Sequence, residues 1–501
     1  MDTAFVWLIA IPLAASPVNY LAGRLGPAGR VERATSPVRW VALLALLAAW
    51  IPFGLAAQYL AAHGPAVYTY GAISLRLDGL SLVLSGVALA LGTLVMLFSG
   101  QYIAGEDGEN KYYALLTAMI GAIIGLSCAT DLFNLWVWFE TMAISSYMLV
   151  AFYHKQAGAL EAGIKYLVQS TVGSVFVLLG IGLVFGTSGT LDLSAHLQKT
   201  AQLAPALLAA GALFVIGFGV KTALVPMHTW LPDAHSQAPS GISAMLSGVV
   251  IEAGLVAMLR ALAPLANLTS LWGPILLGFS AVNMLFGNLM ALRQTQVKRM
   301  LAYSSLSHIG YMLLGIGITV TFHQVEGAQG GLFHLINHGI MKGLAFLAAG
   351  ALLYALHIAH GDHSPLTVGD LSGASRRYPL VAIAFSVAVL GLGGLPPLAG
   401  FMSKWQIFVA GFQTQVPWVQ ALVIFAALNS VLSLAYYAPL VNAIYRREMS
   451  STVKQGLAIP ATMNIPLVLM ALAVIVLGIW PDLVSWLTGP GAKAILAAFG
   501  G

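Results

Sequence analysis

The chain has 501 residues, of which 59% are hydrophobic and 8% charged, against roughly a quarter charged in an average soluble domain. That composition excludes a water-soluble globular protein, and the single cysteine, Cys128, excludes a disulfide framework, a four-cysteine zinc site and a thiolate-held iron–sulfur cluster within the chain. The net charge of +5 does not mark a nucleic-acid binder, because the basic residues are scattered through short loops and not gathered into a patch.

A membrane span needs about 20 apolar residues. By that measure about fourteen candidate spans follow one another at 4–22, 38–58, 78–102, 112–129, 131–153, 161–186, 203–225, 240–263, 270–292, 299–320, 330–356, 378–412, 418–445 and 464–488. The first has no basic leader or small-residue cleavage site, so a retained span is expected there. No stretch is left for a soluble domain. Basic residues favour the cytoplasmic side. Threading the N-terminus outside puts most of them, among them Arg30, Arg33, Lys298, Arg299 and Arg447, at the inner face. Arg76, Lys199, Arg260 and Lys493 then fall outside, and an exterior C-terminus follows. The expected location is a prokaryotic cytoplasmic (inner) membrane.

Two spans are interrupted. One break follows Lys221, with Pro226, Pro232 and Pro239; the other precedes Lys404, with Pro396 and Pro397. Proline removes a backbone hydrogen bond, so each run should unwind where protein surrounds it. Paired breaks point to inverted repeats. The expected fold is therefore an all-α polytopic membrane protein of about 14 transmembrane helices with two inverted five-helix repeats and two broken helices. Its segments are helices 1–3 (1–104), a first repeat (105–265), a second repeat (266–447) and a C-terminal helix (448–501).

Burying a charge at mid-membrane costs about 2.5–3.5 kcal/mol on insertion scales, which singles out Glu140, Lys165, Lys221, Glu252, Lys342 and Lys404 as functional or paired. His334, His338 and Lys342 recur at i, i+4 and i+8 on one helix face. Imidazole both accepts and donates protons near neutral pH, so a mixed Lys–Glu–His row can store and pass protons. Glu140 and Lys221 are expected to interact across their helices, and the histidine row to join the first broken helix to Lys404. A lysine partner for Glu252 is the plain structural alternative to a carrier role. His228, His235, Lys298 and His308 are accessory candidates, with loop or helix-end hydrogen bonding as the ordinary alternative for the three histidines. The group His357, His360, Asp362 and His363 has metal-ligand residue types, but a solvated loop with Gly361 and Pro365 is the preferred reading. No metal or cofactor is expected, and redox chemistry is expected only on a partner.

The strings VKTALVPMHTWLPDAH, VKRMLAYSSLSHIGYM, FHLINHGIMKGLAFLAAG and GLPPLAGFMSKW resemble the antiporter-like membrane subunits shared by respiratory complex I, Mrp-type cation/proton antiporters and membrane-bound hydrogenases. The resemblance implies fourteen helices and a proton path along the membrane plane through positions matching Glu140, Lys221 and Lys404. Lys165, His334, His338 and Lys342 fall on family positions as well. It also implies membrane partner subunits, homologous antiporter-like ones included. Glu252 departs from the family's usual lysine or histidine. The chain should lack the long lateral helix of the largest complex I member. Lys404 is similar to Mrp D and one smaller complex I subunit, and WFETMAISSYMLVAF around Glu140 is similar to Mrp D. The leading expectation is a proton-translocating subunit of a redox-coupled complex. An Mrp-type exchanger subunit without a redox partner is the alternative, with sodium as the other candidate ion, and a membrane scaffold is a third reading.

Overall fold

The computed structural model describes residues 2–25, 37–71, 73–195, 204–446 and 448–500. Arg30, Arg33, Lys199 and Arg447, which enter the topology argument, lie outside them. Along the chain run α1 (Asp2–Leu25), α2 (Pro37–His63), strands β1 (Ala66–Tyr70) and β2 (Ile73–Leu77), α3 (Gly79–Tyr102), α4 (Glu109–Ser127), α5 (Leu132–Val150), α6 (Ala157–Ser188), α7 (Ala204–Thr222), α8 (Trp230–Gln237) and α9 (Ser240–Met245). A π-helical turn, Leu246–Val250, joins α9 to α10 (Ile251–Leu262). Then come α11 (Trp272–Ala291), α12 (Val297–Phe322), α13 (Val325–Leu356), α14 (Pro379–Gly393), α15 (Ala399–Gln413), α16 (Pro417–Arg446), α17 (Ser451–Gln455), α18 (Ala461–Ile479) and α19 (Ser485–Ala498).

The protein is mostly helical, because a chain this apolar can satisfy its backbone in a membrane only from within. Eleven of the described helical stretches are long and apolar enough to cross a bilayer, and the chain is an integral membrane protein. α13 lies at the centre and is buried almost throughout, whereas α2 and α16 present apolar side chains such as Ile51, Leu428 and Val431 to the surroundings.

The membrane-spanning fold is all-α, with a short hairpin added to it: β1 and β2 pair antiparallel with Tyr70 opposite Ile73, and Arg76 N–H donates to Cys128 O at 2.7 Å. The run 378–412 is two helices, α14 and α15, parted at its proline break. The region 448–501 differs from the single helix expected: the short α17 precedes α18, and the chain breaks again at Trp480 and Pro481 before α19.

Both breaks are supplied with hydrogen bonds from outside their own helix. At the first, Val225 N–H donates to Asn283 Oδ1 at 2.9 Å and Asn283 Nδ2 donates to Ala223 O at 3.2 Å, so one α11 amide serves both halves of the unwound backbone. At the second, Lys404 Nζ donates to Leu392 O at 2.8 Å and Ser430 Oγ to Gly393 O at 3.1 Å. The open carbonyl end of α14 thereby receives an ammonium, which the helix dipole favours. Each break also contains a cis X–Pro bond, Val225–Pro226 and Pro396–Pro397.

The second break is wedged against α18 by a glycine. A β-carbon on Gly478 would sit 2.0 Å from Pro397 O and 2.6 Å from Leu398 C, both backbone atoms. Gly478→Ala is therefore expected to destabilise the protein by about 1–3 kcal/mol through overpacking. The thermal midpoint of the detergent-solubilised protein measures this, and an unchanged midpoint would mean that the break yields freely.

A candidate buried row of ionisable residues

Lys221 lies in the last turn of α7 and is 1% exposed. Its Nζ donates to Tyr166 Oη at 2.9 Å and Ser170 Oγ at 3.3 Å, both from α6. Three rings surround the ammonium, Tyr166 at 4.5 Å, Phe139 at 5.7 Å and Trp230 at 5.9 Å. Tyr166 and Trp230 stack at 3.8 Å, and Tyr166 Oη also meets Ser146 Oγ at 2.9 Å. An aromatic cage of this kind holds a cation without neutralising it.

The interaction expected between Glu140 and Lys221 is not a direct ion pair, since Lys221 has no carboxylate within 4.0 Å among the described residues. Glu140 is half-buried, its Oε1 has no partner, and it acts on Lys221 electrostatically from beyond the cage. Phe139, the residue before it, occupies the contact position.

Lys165 is not buried. Its side chain is 48% exposed and is bound by Glu161 at 2.7 Å and Asp233 at 3.1 Å, while Asp233 also takes Arg299 at 2.7 Å. The cause is helical geometry: Tyr166 faces inward, and one residue earlier the side chain points about 100° away.

Past Lys221, α10 packs against the end of α7. Gly254 lets this helix approach the end of α7 so closely that a β-carbon would lie 2.9 Å from Thr222 N. Two residues earlier, on the other side of the helix, Glu252 Oε1 meets His338 Nδ1 at 2.8 Å, both residues being fully buried. Glu252 is thus paired with a histidine and not a lysine.

On α12, His308 Nδ1 lies 3.0 Å from His334 Nε2, and His334 Nδ1 lies 2.9 Å from Ser403 Oγ. The His308 and His338 rings are 5.1 Å apart. His308 therefore stands inside the row and is not a helix-end residue. Next to Ser403, Lys404 donates to Ser430 Oγ at 2.8 Å and lies 4.6 Å from the centre of the Tyr311 ring. Lys342 leaves its helix-mates and turns to α12, donating to Leu301 O at 2.7 Å and to Ser304 Oγ.

The remaining accessory candidates lie off this line. Lys298, assigned by sequence to the inner loops, is buried with its ammonium on Ala238 O. His235 is fully buried against Phe346 at 4.8 Å with both ring nitrogens unpartnered. His228 packs on Phe286 at 4.9 Å, with Nδ1 unpartnered. In the loop after α13, Asp362 accepts Ser364 Oγ at 2.7 Å and Ser364 N at 2.8 Å, bonds that hold its carboxyl below the usual range. His357 Nδ1 meets Ser364 O at 3.0 Å.

Sequence reading misplaced Arg260, counted among exterior loop residues, and overlooked Asp78 altogether. Arg260 is buried and grips Asp78 with two nitrogens at 2.6 and 2.7 Å. Asp78 at the same time caps α3, accepting Ser81 N–H at 2.8 Å. Tyr166, Ser170 and Ser403 were also overlooked, since neutral hydroxyls in apolar runs carry no signal of their own.

Residues 129–433 match the family described as NADH:quinone oxidoreductase/Mrp antiporter, TM, and residues 71–113 match NADH-Ubiquinone oxidoreductase (complex I), chain 5 N-terminus. The F(420)H(2) dehydrogenase subunit N of Methanosarcina mazei is 34% identical over 425 residues, 83% of this chain and 84% of that one. NADH-quinone oxidoreductase subunit N of Chloroflexus aggregans is 33% identical, over 82% and 83%. Both of these relatives are N subunits. A chain of the membrane-bound sulfane sulfur reductase, an archaeal respiratory membrane complex, superposes with a TM-score of 0.86 at 28% identity, covering 100% of this chain and 99% of that one. The chain belongs to the NADH:quinone oxidoreductase/Mrp antiporter family of transmembrane subunits.

Proposed function

We propose that this chain translocates protons as an antiporter-like subunit of a larger, redox-coupled membrane complex, along a path from Glu140 and Lys221 through Glu252, His338, His308 and His334 to Lys404. The observation that carries this reading is the set of buried polar groups between the two broken helices, the Glu252–His338 pair and the His308–His334–Ser403 row. Lys221 and Lys404 sit at its ends, each held by neutral hydroxyls or carbonyls that leave an ammonium free to give up a proton. The N-subunit relatives support a redox-driven partner. Lys165, with Asp233 and Arg299, serves proton uptake at the surface end, and Lys342, Lys298, His235 and His228 tune the buried charge beside the path.

The same reading takes α1 to α7, the joined α9 and α10, α11 to α13, the broken pair α14 and α15, α16 and α18 as fourteen spans. Residues 105–265 and 266–447 form two inverted five-helix repeats, and both termini face outside the cytoplasmic membrane. The supports are the two breaks at corresponding places and the basic residues of the short loops. The partners are homologous membrane subunits, and the chain itself holds no redox centre.

Reconstituting the whole complex in vesicles with a trapped pH indicator tests the path. Lys404→Ala is expected to lower proton movement about a hundredfold, within the range for a positioned proton-transfer group, with assembly intact. Translocation at the wild-type rate would put the second half of the path elsewhere. The similarity around Glu140 to Mrp D favours a second reading, secondary exchange with sodium. A sodium gradient that drives proton movement without an electron donor would select it.

A further inference from the structure

Glu252 and His338 are each fully buried, yet each keeps one polar atom without a partner, Oε2 of the carboxylate and Nε2 of the ring. Buried polar atoms are nearly always satisfied. Two idle ones on a single hydrogen-bonded pair, in the middle of a polar row, mark a place where something is bound in passing. The other titratable groups around the pair are bases: Lys342 and His334 on α13, His308 on α12 and Lys404 on α15. Glu252 is the only buried carboxylate among the described residues of α10 to α15.

The hydrogen bonds beyond the pair have a polarity. A neutral imidazole carries one N–H, so His334 cannot donate at both nitrogens. Either His308 Nδ1–H donates to His334 and His334 Nδ1–H donates to Ser403 Oγ, or both bonds run the other way. In the first setting the remaining nitrogen of His308, Nε2, is a lone pair; in the second it is an N–H. The His338 ring is 5.1 Å from that of His308, within reach of a side-chain rotation.

We propose that Glu252 and His338 form one proton-storing station, anionic when empty and neutral when loaded, whose loading turns His338 Nε2 from an acceptor into a donor and so sets the direction of the His308–His334–Ser403 row. When empty, the carboxylate accepts His338 Nδ1–H at Oε1, and Nε2 is a lone pair. Loading adds one proton at Nε2, and the imidazolium stays paired with the carboxylate. On discharge that proton bonds to His308 Nε2. His308 Nδ1–H then moves to His334 Nε2, His334 Nδ1–H moves to Ser403 Oγ, and the serine hydroxyl proton passes on toward Lys404. One proton enters, one leaves and the station returns to a charge of −1; the row is left in its second setting, and the His308 and His334 rings and the Ser403 hydroxyl turn back before the next discharge.

The inference rests on the proton-path reading, and the test keeps the two apart. In the reconstituted complex, Glu252→Gln and His338→Gln are each expected to assemble and to lower proton movement about tenfold or more. The double variant should be no slower than the slower single one, because two halves of one station fail together. On glutamate-labelled complex, energisation should shift an ionised-carboxylate band as the paired ring gains its charge, and that one component should be missing from the spectrum of Glu252→Gln. Effects that multiply in the double variant would overturn a shared station. Wild-type rates in Glu252→Gln alongside a blocked Lys221→Ala would overturn it too while leaving the path, and wild-type rates in both would overturn the path itself. Should Glu252→Gln not assemble, Glu252→Asp must carry about tenfold more protons than Glu252→Asn; equal rates in those two variants refute the station.

Discussion

Lys221→Ala should stop proton translocation, lowering it by about a hundredfold or more, while the complex still assembles. Both halves of this expectation follow from how the ammonium is held. Its direct partners are the neutral Tyr166 and Ser170 hydroxyls and three ring faces, with no carboxylate within 4.0 Å among the described residues. Removing it breaks no direct ion pair, and the half-buried Glu140 beyond the cage keeps access to the surroundings, so folding is spared. The proton, however, loses the one ammonium at the first break, and the hydroxyls that remain are poor bases. Proton movement in vesicles and the sedimentation of the solubilised complex are the paired measurements. Assembly with a wild-type rate would move the first half of the path away from α7.

Asp78→Ala should do the reverse, damaging the protein before any question of transport arises. It leaves the Arg260 guanidinium buried without its carboxylate, a loss of about 3–5 kcal/mol when one partner of a buried pair is removed. It also removes the cap of α3, worth about 1 kcal/mol. The expected result is little assembled complex and a much lower unfolding temperature. Asp78→Ala combined with Arg260→Met should recover part of the loss, because an apolar replacement for both charges is often neutral. If the single variant unfolds at the wild-type temperature, the pair is not holding α3 to α10.

How much of this was legible in the sequence depended on where each signal resides. The spans and both breaks are local features of hydropathy and proline, and α7 and α14 end where these place them. Lys221, Lys404 and the α13 histidines stand out because a charge or imidazole inside an apolar run is conspicuous, and all of them are buried. What failed needed distant partners. Arg260 looks like a loop cation until Asp78, 182 positions away, closes on it, and Lys298 does until Ala238 O, 60 positions away, receives it. Lys165 erred in the opposite direction, since hydropathy averages around a helix and cannot tell its buried face from its outer one. The hairpin was missed although Thr69, Ser74 and Arg76 alternate with apolar or aromatic neighbours, because it follows α2 with little gap and is only five residues per strand.

The π-helical turn Leu246–Val250 has a hereditary consequence. A π turn accommodates roughly one residue more than an α-helical turn, and each residue advances a helix by about 100°. Losing one residue there would close the turn to an α-helical one and leave Glu252 and Arg260 facing His338 and Asp78. A residue lost from the α-helical turns between Glu252 and Arg260 would instead turn one contact from the other by about 100°, so the lineage should accept a change of letter count in Leu246–Val250 far more readily than in the eight residues that follow Glu252.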